Sequence, residues 1–302
     1  MKRPSVGLAL LFAVMAAACS GPLIKQVLLW GVPPAVIAFQ RLFFTTAMLA
    51  PGTLSRRVYR AELRALTRRD LLLLCASGLC LALHFLCWIE SLSIISTFAS
   101  TAILATQPLF ALGGGFLFLG ERPQAKSLWG IVLSTLGTVV IACGGSVDGA
   151  SLWGCLLSVM GALFAACYLL CNKALRGRLS LTPHTFCIYG LCTLVLLGAA
   201  AFAGAPLFAY SYKAYIIFFL LAAVCTLGGH SVCNWALKFT QASTVSVALL
   251  GEPVGAALLS WLLFGEWPTV WVLLGGALIL MGVLWFSTLQ ARVSTAELPP
   301  QA

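Results

Sequence analysis

The chain is poor in charge. Lys, Arg, Asp and Glu make up 9% of its 302 residues, and only eight residues carry a carboxylate. A soluble domain carries about 25% charge, so a composition that is 61% hydrophobic leaves too little polar surface to cover one. No two carboxylates lie within four positions of each other, which leaves no acidic cluster for a divalent metal with a diphosphate. Gly113-Gly114-Gly115 is not followed by Lys-Ser or Lys-Thr, so it is no phosphate loop, and a nucleotide-driven pump is disfavoured. No catalytic residue, cofactor or metal site is assigned. The alternative from another class, a membrane-embedded enzyme acting on lipid or prenyl substrates, has no nucleophile–base pattern behind it.

What the chain does have is one apolar run after another. Runs of 18 or more apolar residues span a bilayer as helices. Pro, Gly and charge punctuate ten of them, at about 6–24, 33–51, 70–90, 96–119, 126–145, 151–172, 182–204, 213–236, 243–264 and 269–289. The expected fold is therefore an all-α integral membrane protein with ten transmembrane helices and the lipid bilayer as its solvent. All twelve cysteines lie within the runs and read as small packing residues. Met1 to Gly21 looks like a signal peptide with a lipidated cysteine, but it reads better as an uncleaved first helix. With the N-terminus inside, fifteen Lys and Arg fall on the cytoplasmic side and only Lys25 and Lys213 on the outer side. The positive-inside rule then places both termini in the cytoplasm. The net charge of +10 follows this topology and calls for no nucleic acid.

One phrase occurs twice, 145 positions apart. Gln107-Pro108, Leu119-Gly120-Glu121-Arg122-Pro123, Gly130 and Gly137 return as Glu252-Pro253, Phe264-Gly265-Glu266-Trp267-Pro268, Gly275 and Gly282. More weakly, Ala17-Ala18-Cys19 with Lys25 matches Ala165-Ala166-Cys167 with Lys173, and Pro34 matches Pro183. An odd number of spans, five, separates the copies, so they face opposite sides of the membrane. The chain then divides into inverted five-helix repeats over 6–145 and 151–289, with a cytoplasmic tail at 290–302. Inverted repeats give the two membrane faces equivalent structures, the geometric basis of alternating access.

Ten spans in two halves, with a proline in the fourth and ninth and Gly-Glu ending both, resemble the EamA-type transporters of the drug/metabolite transporter superfamily. The resemblance covers roughly 6 to 290. It implies a secondary transporter of a small organic metabolite, such as an amino acid or a drug-like solute. It also implies a bacterial inner-membrane location and an exporter's direction. Small multidrug members of that superfamily use an acidic residue in their first helix. This chain has none in its first or sixth span, so that proton mechanism does not carry over.

Ionisable groups inside spans are costly and need a reason. Glu252 lies halfway along the ninth span and Gln107 at the same depth of the fourth. Pro253 and Pro108, which follow them, are expected to kink the helices and free backbone carbonyls. Together these place a substrate or cation site at mid-membrane, where Glu252 is free to exchange a coupled proton. The competing reading is a structural kink with Glu252 neutral or paired to Arg41. Arg41, midway along the second span, reads equally as a ligand for an anionic group, a gate or a structural ion pair. His84 and Trp88 share a helix face in the third span, and His230 and Asn234 share one in the eighth. With Trp235 they complete the expected wall of a small-molecule site, against hydrogen-bonded core histidines and interface tryptophans. Glu121 and Glu266 read as helix-end structure. The Gly130/Gly137 and Gly275/Gly282 faces allow close helix approach, within a monomer or in a homodimer.

Overall fold

A computed structural model describes residues 6–95, 97–121, 124–144, 151–175, 177–256, 258 and 269–296. The repeated Phe264–Pro268 phrase and the last six residues of the chain lie outside them. The described residues are helical. α1 (Val6–Leu29), α2 (Pro34–Ser55), the short α3 (Arg57–Arg64) and α4 (Arg68–Ile94) are followed by two pieces, α5 (Thr97–Leu104) and α6 (Gln107–Leu119). α7 (Leu128–Gly144), α8 (Leu152–Leu175), α9 (Leu181–Phe202), α10 (Tyr212–Ala236), α11 (Ala242–Leu249) and α12 (Val270–Ala296) complete the order. α1, α2, α4, α8, α9 and α10 are each long and apolar enough to cross a membrane, and α6, α7 and α12 contain shorter apolar stretches.

The helix boundaries repeat as the sequence does. α1 and α8 each have 24 residues and start 146 positions apart; α2 and α9 each have 22 and start 147 apart. α4 is anchored by a capping box, in which Asp70 accepts from the Thr67 backbone at 3.0 Å and Thr67 accepts from the Asp70 backbone at 3.3 Å. Two otherwise orphaned donors at the helix start are satisfied in this way. α4 lies along α8, and α2 along α9.

α7 packs along α12. A methyl group on Gly130 would sit 2.5 Å from the Gly282 carbonyl, and one on Gly137 would sit 2.5 Å from the Gly275 carbonyl. Between these points Ser134 Oγ donates to the Ile279 carbonyl at 3.2 Å. Ser134 and Ile279 are themselves 145 positions apart. As numbers rise along α7 they fall along α12, so the repeated helices cross antiparallel, with the crossing point between equivalent residues. The small-residue faces are thus used within the chain.

α10 departs from regular winding. Over Leu221–His230 it is a π-helix, an uncommon form that concentrates at functional positions. Thr226 Oγ1 donates to the Leu221 carbonyl at 3.0 Å, and Ser231 Oγ to the Thr226 carbonyl at 3.3 Å, each five residues back.

Candidate functional site

The helix carrying Gln107 is interrupted in its regular hydrogen bonding, while the backbone at Thr106 stays right-handed helical. α5 ends at Leu104, Ala105 and Thr106 form a turn, and α6 starts at Gln107. α11 likewise ends at Leu249, Leu250 and Gly251 form a turn, and helix resumes over 252–256. One hydrogen bond repeats at equivalent residues. Thr106 N–H donates to the Ile103 carbonyl at 3.0 Å and Gly251 N–H to the Ala248 carbonyl at 3.0 Å. Pro108 and Pro253 therefore sit in the first turn of a new half-helix. Their missing N–H costs nothing there and their fixed φ suits the start. Both interruptions thus fall immediately before the polar residue, inside the protein.

These two breaks enclose a cavity lined by Thr101, Leu104, Ala105, Gln107 and Pro108 from one side. From the other side it is lined by their equivalents Ser246, Leu249, Leu250, Glu252 and Pro253. A second cavity shares Leu104, Gln107, Leu249 and Glu252 and extends to Ala17, Ser20, His84, Trp88, Ala165, Tyr168, Leu169, His230 and Cys233. Its volume of about 40 Å³ admits a few waters at roughly 10–15 Å³ each, too little for an organic solute.

His84 donates its Nδ1 proton to the Gly161 carbonyl at 2.9 Å, which fixes the tautomer of the neutral ring and leaves Nε2 as an acceptor. Its ring stacks on Trp88 at 5.8 Å and 11°, as their spacing predicts, and stands 6.4 Å from His230. Tyr168 approaches His230 at 6.2 Å, edge to face. The Trp88 indole N–H is buried without a hydrogen-bond partner among the described residues. Glu252, Gln107, His84, Trp88 and His230, expected as site residues, thus meet at one cavity.

Three others stand elsewhere. Asn234 is on the His230 side of α10 but one turn beyond it, behind Tyr168. Its amide donates to the Tyr168 hydroxyl at 2.6 Å, and it accepts from the Asn172 amide at 2.8 Å. Asn172 in turn accepts from Ser77 at 2.6 Å. Trp235 packs on Phe239, ring centroids 5.0 Å apart, and does not line the cavity. Arg41 is fully buried beside the site: Nε donates to Thr226 Oγ1 at 2.7 Å and the guanidinium lies 4.5 Å over the Phe85 ring. Among the described residues Nη1 and Nη2 have no hydrogen-bond partner. Glu252 lies within electrostatic reach of Arg41, yet among the described residues the ion pair formed is Arg178 with Asp70, 3.1 Å apart.

The EamA-like transporter family model matches the sequence twice, over residues 5–143 and 152–288. The chain belongs to the EamA-like transporter family. It is an integral membrane protein of the drug/metabolite transporter kind. A crystal structure of a protein is similar to it with a TM-score of 0.75 over 97% of this chain and 99% of the other, at 16% identity, which shows a common fold. No curated protein matches.

In this EamA-like chain the cavity also takes Ser20, Tyr168 and Cys233, which sequence reasoning passed over. Ser20 and Tyr168 are 148 positions apart, the offset of the neighbouring Ala-Ala-Cys match, so extending that match by one residue reaches both. Cys233 was hidden by its chemistry, since a cysteine in an apolar helix reads as packing. Among the described residues no group of three His, Cys, Asp or Glu is placed to hold a metal ion.

Proposed function

We propose that the protein is a secondary transporter that exports a small organic solute, such as an amino acid or drug-like molecule, by alternating access around Gln107 and Glu252. The observation that carries this reading is the pair of half-helices that break at equivalent residues and share one cavity. Discontinuous helices expose backbone dipoles at mid-membrane, where they bind charged solute groups, and repeats arranged around them supply the two access states.

In this reading α5 with α6 forms one crossing, and α11 with the helix that follows its break forms another. With α1, α2, α4, α7, α8, α9, α10 and α12 that makes ten. The 23 residues from Thr97 to Leu119 reach about 34 Å at 1.5 Å per residue, enough for a hydrocarbon core of about 30 Å. The antiparallel crossing of α7 and α12 at equivalent residues supports inverted five-helix repeats over 6–145 and 151–289. The lysine and arginine distribution supports cytoplasmic termini in a bacterial inner membrane. Glu252 serves as the anionic group that meets a cationic part of the solute or a coupled proton. The stacked His84 and Trp88, with Tyr168 and His230, form the wall.

The test is flux in proteoliposomes against a panel of amino acids, nucleosides and amphipathic cations, with and without a pH gradient. A transported solute should lose on the order of tenfold in flux with Glu252→Gln, the scale of one charge-assisted hydrogen bond. Wild-type flux and wild-type response to the gradient in that variant would remove Glu252 from the site. Absence of carrier-mediated flux across the whole panel would reject the transporter assignment.

A further inference from the structure

The Gly120-Glu121 pair that ends α6 does more than stop a helix. Gly120 has φ +65°, a left-handed turn that favours glycine. Glu121 N–H closes the end of α6 onto the Gly115 carbonyl at 2.9 Å. The Glu121 side chain folds over Gly115, where a methyl group would stand 2.7 Å from the carboxylate. The buried carboxylate then reaches into the second half of the chain. Oε1 accepts from the Ala242 backbone N–H at 2.9 Å, and Oε2 accepts from Ser243 Oγ at 3.4 Å. These are the first two residues of α11.

Lys173, near the end of α8, holds the same segment from its other side. Its Nζ donates to the Leu237 carbonyl at 2.9 Å and the Thr240 carbonyl at 2.7 Å, where α10 gives way to the loop before α11. Lys173 and Glu121 are within electrostatic range of each other. The carboxylate sits at a helix N-terminus and the ammonium at a helix C-terminus, each on the side its charge favours.

Three relationships separate this arrangement from an ordinary cap. The Glu121 bonds join the first half of the chain to the second, so any rocking of the halves must break or carry them. α11 is the half-helix whose inner end precedes Glu252, so Glu121 grips the outer end of an element that positions the site. The lysine contact is also repeated. Lys25, 148 positions before Lys173, donates to the carbonyl of Leu92, 145 positions before Leu237, at 2.9 Å.

We infer that Glu121 and Lys173 form a latch that keeps the cavity shut toward the face where α6 ends and α11 begins, and that its release opens the cavity to that face. The inference rests on the alternating-access reading above. The sequence repeat gives Lys25 and Glu266 the mirror task at the opposite face; Glu266 lies outside the described residues.

The cavity contains its own reporter, Cys233. In a full-length variant with the other eleven cysteines replaced by Ala or Ser, Cys233 is labelled with a membrane-impermeant maleimide in vesicles of each orientation. Glu121→Ala should speed labelling from the latch face by about fivefold or more, the low end of typical coupling between conformational states, and slow it from the opposite face. Lys173→Gln should act in the same direction. Glu121→Gln, which keeps an oxygen for Ala242, should give a smaller change. Unchanged rates from both faces in a Glu121→Ala protein with normal thermal unfolding would overturn the latch. So would an equal rise from both faces, which marks general loosening. Labelling needs no solute, so a one-sided shift without flux of any solute supports the latch and rejects transport, whereas flux without a shift rejects the latch alone.

Discussion

Gln107 and Glu252 each occupy the first position after a two-residue break in a helix, and both line the two adjoining cavities. They are related by the repeat and differ by one ionisable group. If the cavity is used symmetrically, the carboxylate should work from either side. Glu252→Gln alone removes the charge; adding Gln107→Glu restores it across the pseudo-symmetric site. The double variant should therefore recover part of the flux lost by the single one, within about tenfold of wild type, the scale of one charge-assisted hydrogen bond. Flux in the double variant no higher than in Glu252→Gln alone would show that the two sides are inequivalent. The polarity of binding would then be set by wall positions that differ between the repeats, such as Trp88, which lines the cavity, and Asn234, 146 positions later, which does not.

The crossing of α7 and α12 leaves no room for a side chain at Gly137, where a methyl group would meet the Gly275 carbonyl at 2.5 Å and the Ile279 backbone nitrogen at 2.8 Å. Gly137→Val should force the helices apart and cost about 1–3 kcal/mol, as overpacking of a close contact does. Gly190→Ala is the control, since the nearest atom to its added methyl is 3.8 Å away, and it should be neutral. Thermal unfolding in detergent measures both. A Gly137→Val protein as stable as wild type would mean that α7 and α12 are not held in this antiparallel crossing.

Much of this arrangement is legible in the sequence, because spacing survives when detail does not. The constant 145-residue offset pairs Gln107 with Glu252 and Gly130 with Gly275, and those positions are equivalent in the fold. The helical spacing of His84 and Trp88 predicts their stacking. Other features leave no mark on spacing. A proline restricts the residue before it, which is equally compatible with a bend at Pro108 and with a break two residues earlier. No residue encodes the π-winding of Leu221–His230, whose counterpart in α4 is regular helix. Asn234 shares a side with His230, as their spacing requires, but whether it meets the cavity depends on Tyr168, a residue of another helix. The role of Glu121 depends on α11, 121 positions away along the chain.

Asn234 should act on stability first. It links Asn172 to Tyr168 inside a buried chain of hydrogen bonds that starts at Ser77. Asn234→Ala leaves the Asn172 amide and the Tyr168 hydroxyl without this partner, at a cost of about 1–3 kcal/mol for an abandoned buried polar group. Tyr168→Phe removes one hydroxyl and keeps the ring against His230, so it should cost less. The expected result is a lower unfolding temperature for Asn234→Ala than for Tyr168→Phe. Equal, unperturbed unfolding in both would show that the network does not hold α8 to α10.

Arg41 separates stability from function in the opposite sense. Its guanidinium is buried, bound through Nε to Thr226, stacked on Phe85, and leaves Nη1 and Nη2 without hydrogen-bond partners among the described residues. A buried charge with incomplete compensation destabilises a fold, and replacing it with an apolar side chain of similar length is often neutral or stabilising. Arg41→Met should therefore unfold at the same temperature as wild type or higher. If the guanidinium is kept for transport, because its free nitrogens meet an anionic group of the solute or Glu252 in another state, flux should fall on the order of tenfold with one charged hydrogen bond lost. Arg41→Lys should not restore it, since an ammonium lacks the planar fork that stacks on Phe85 while bonding elsewhere. Loss of stability with intact flux would instead make Arg41 a structural link between α2 and α10.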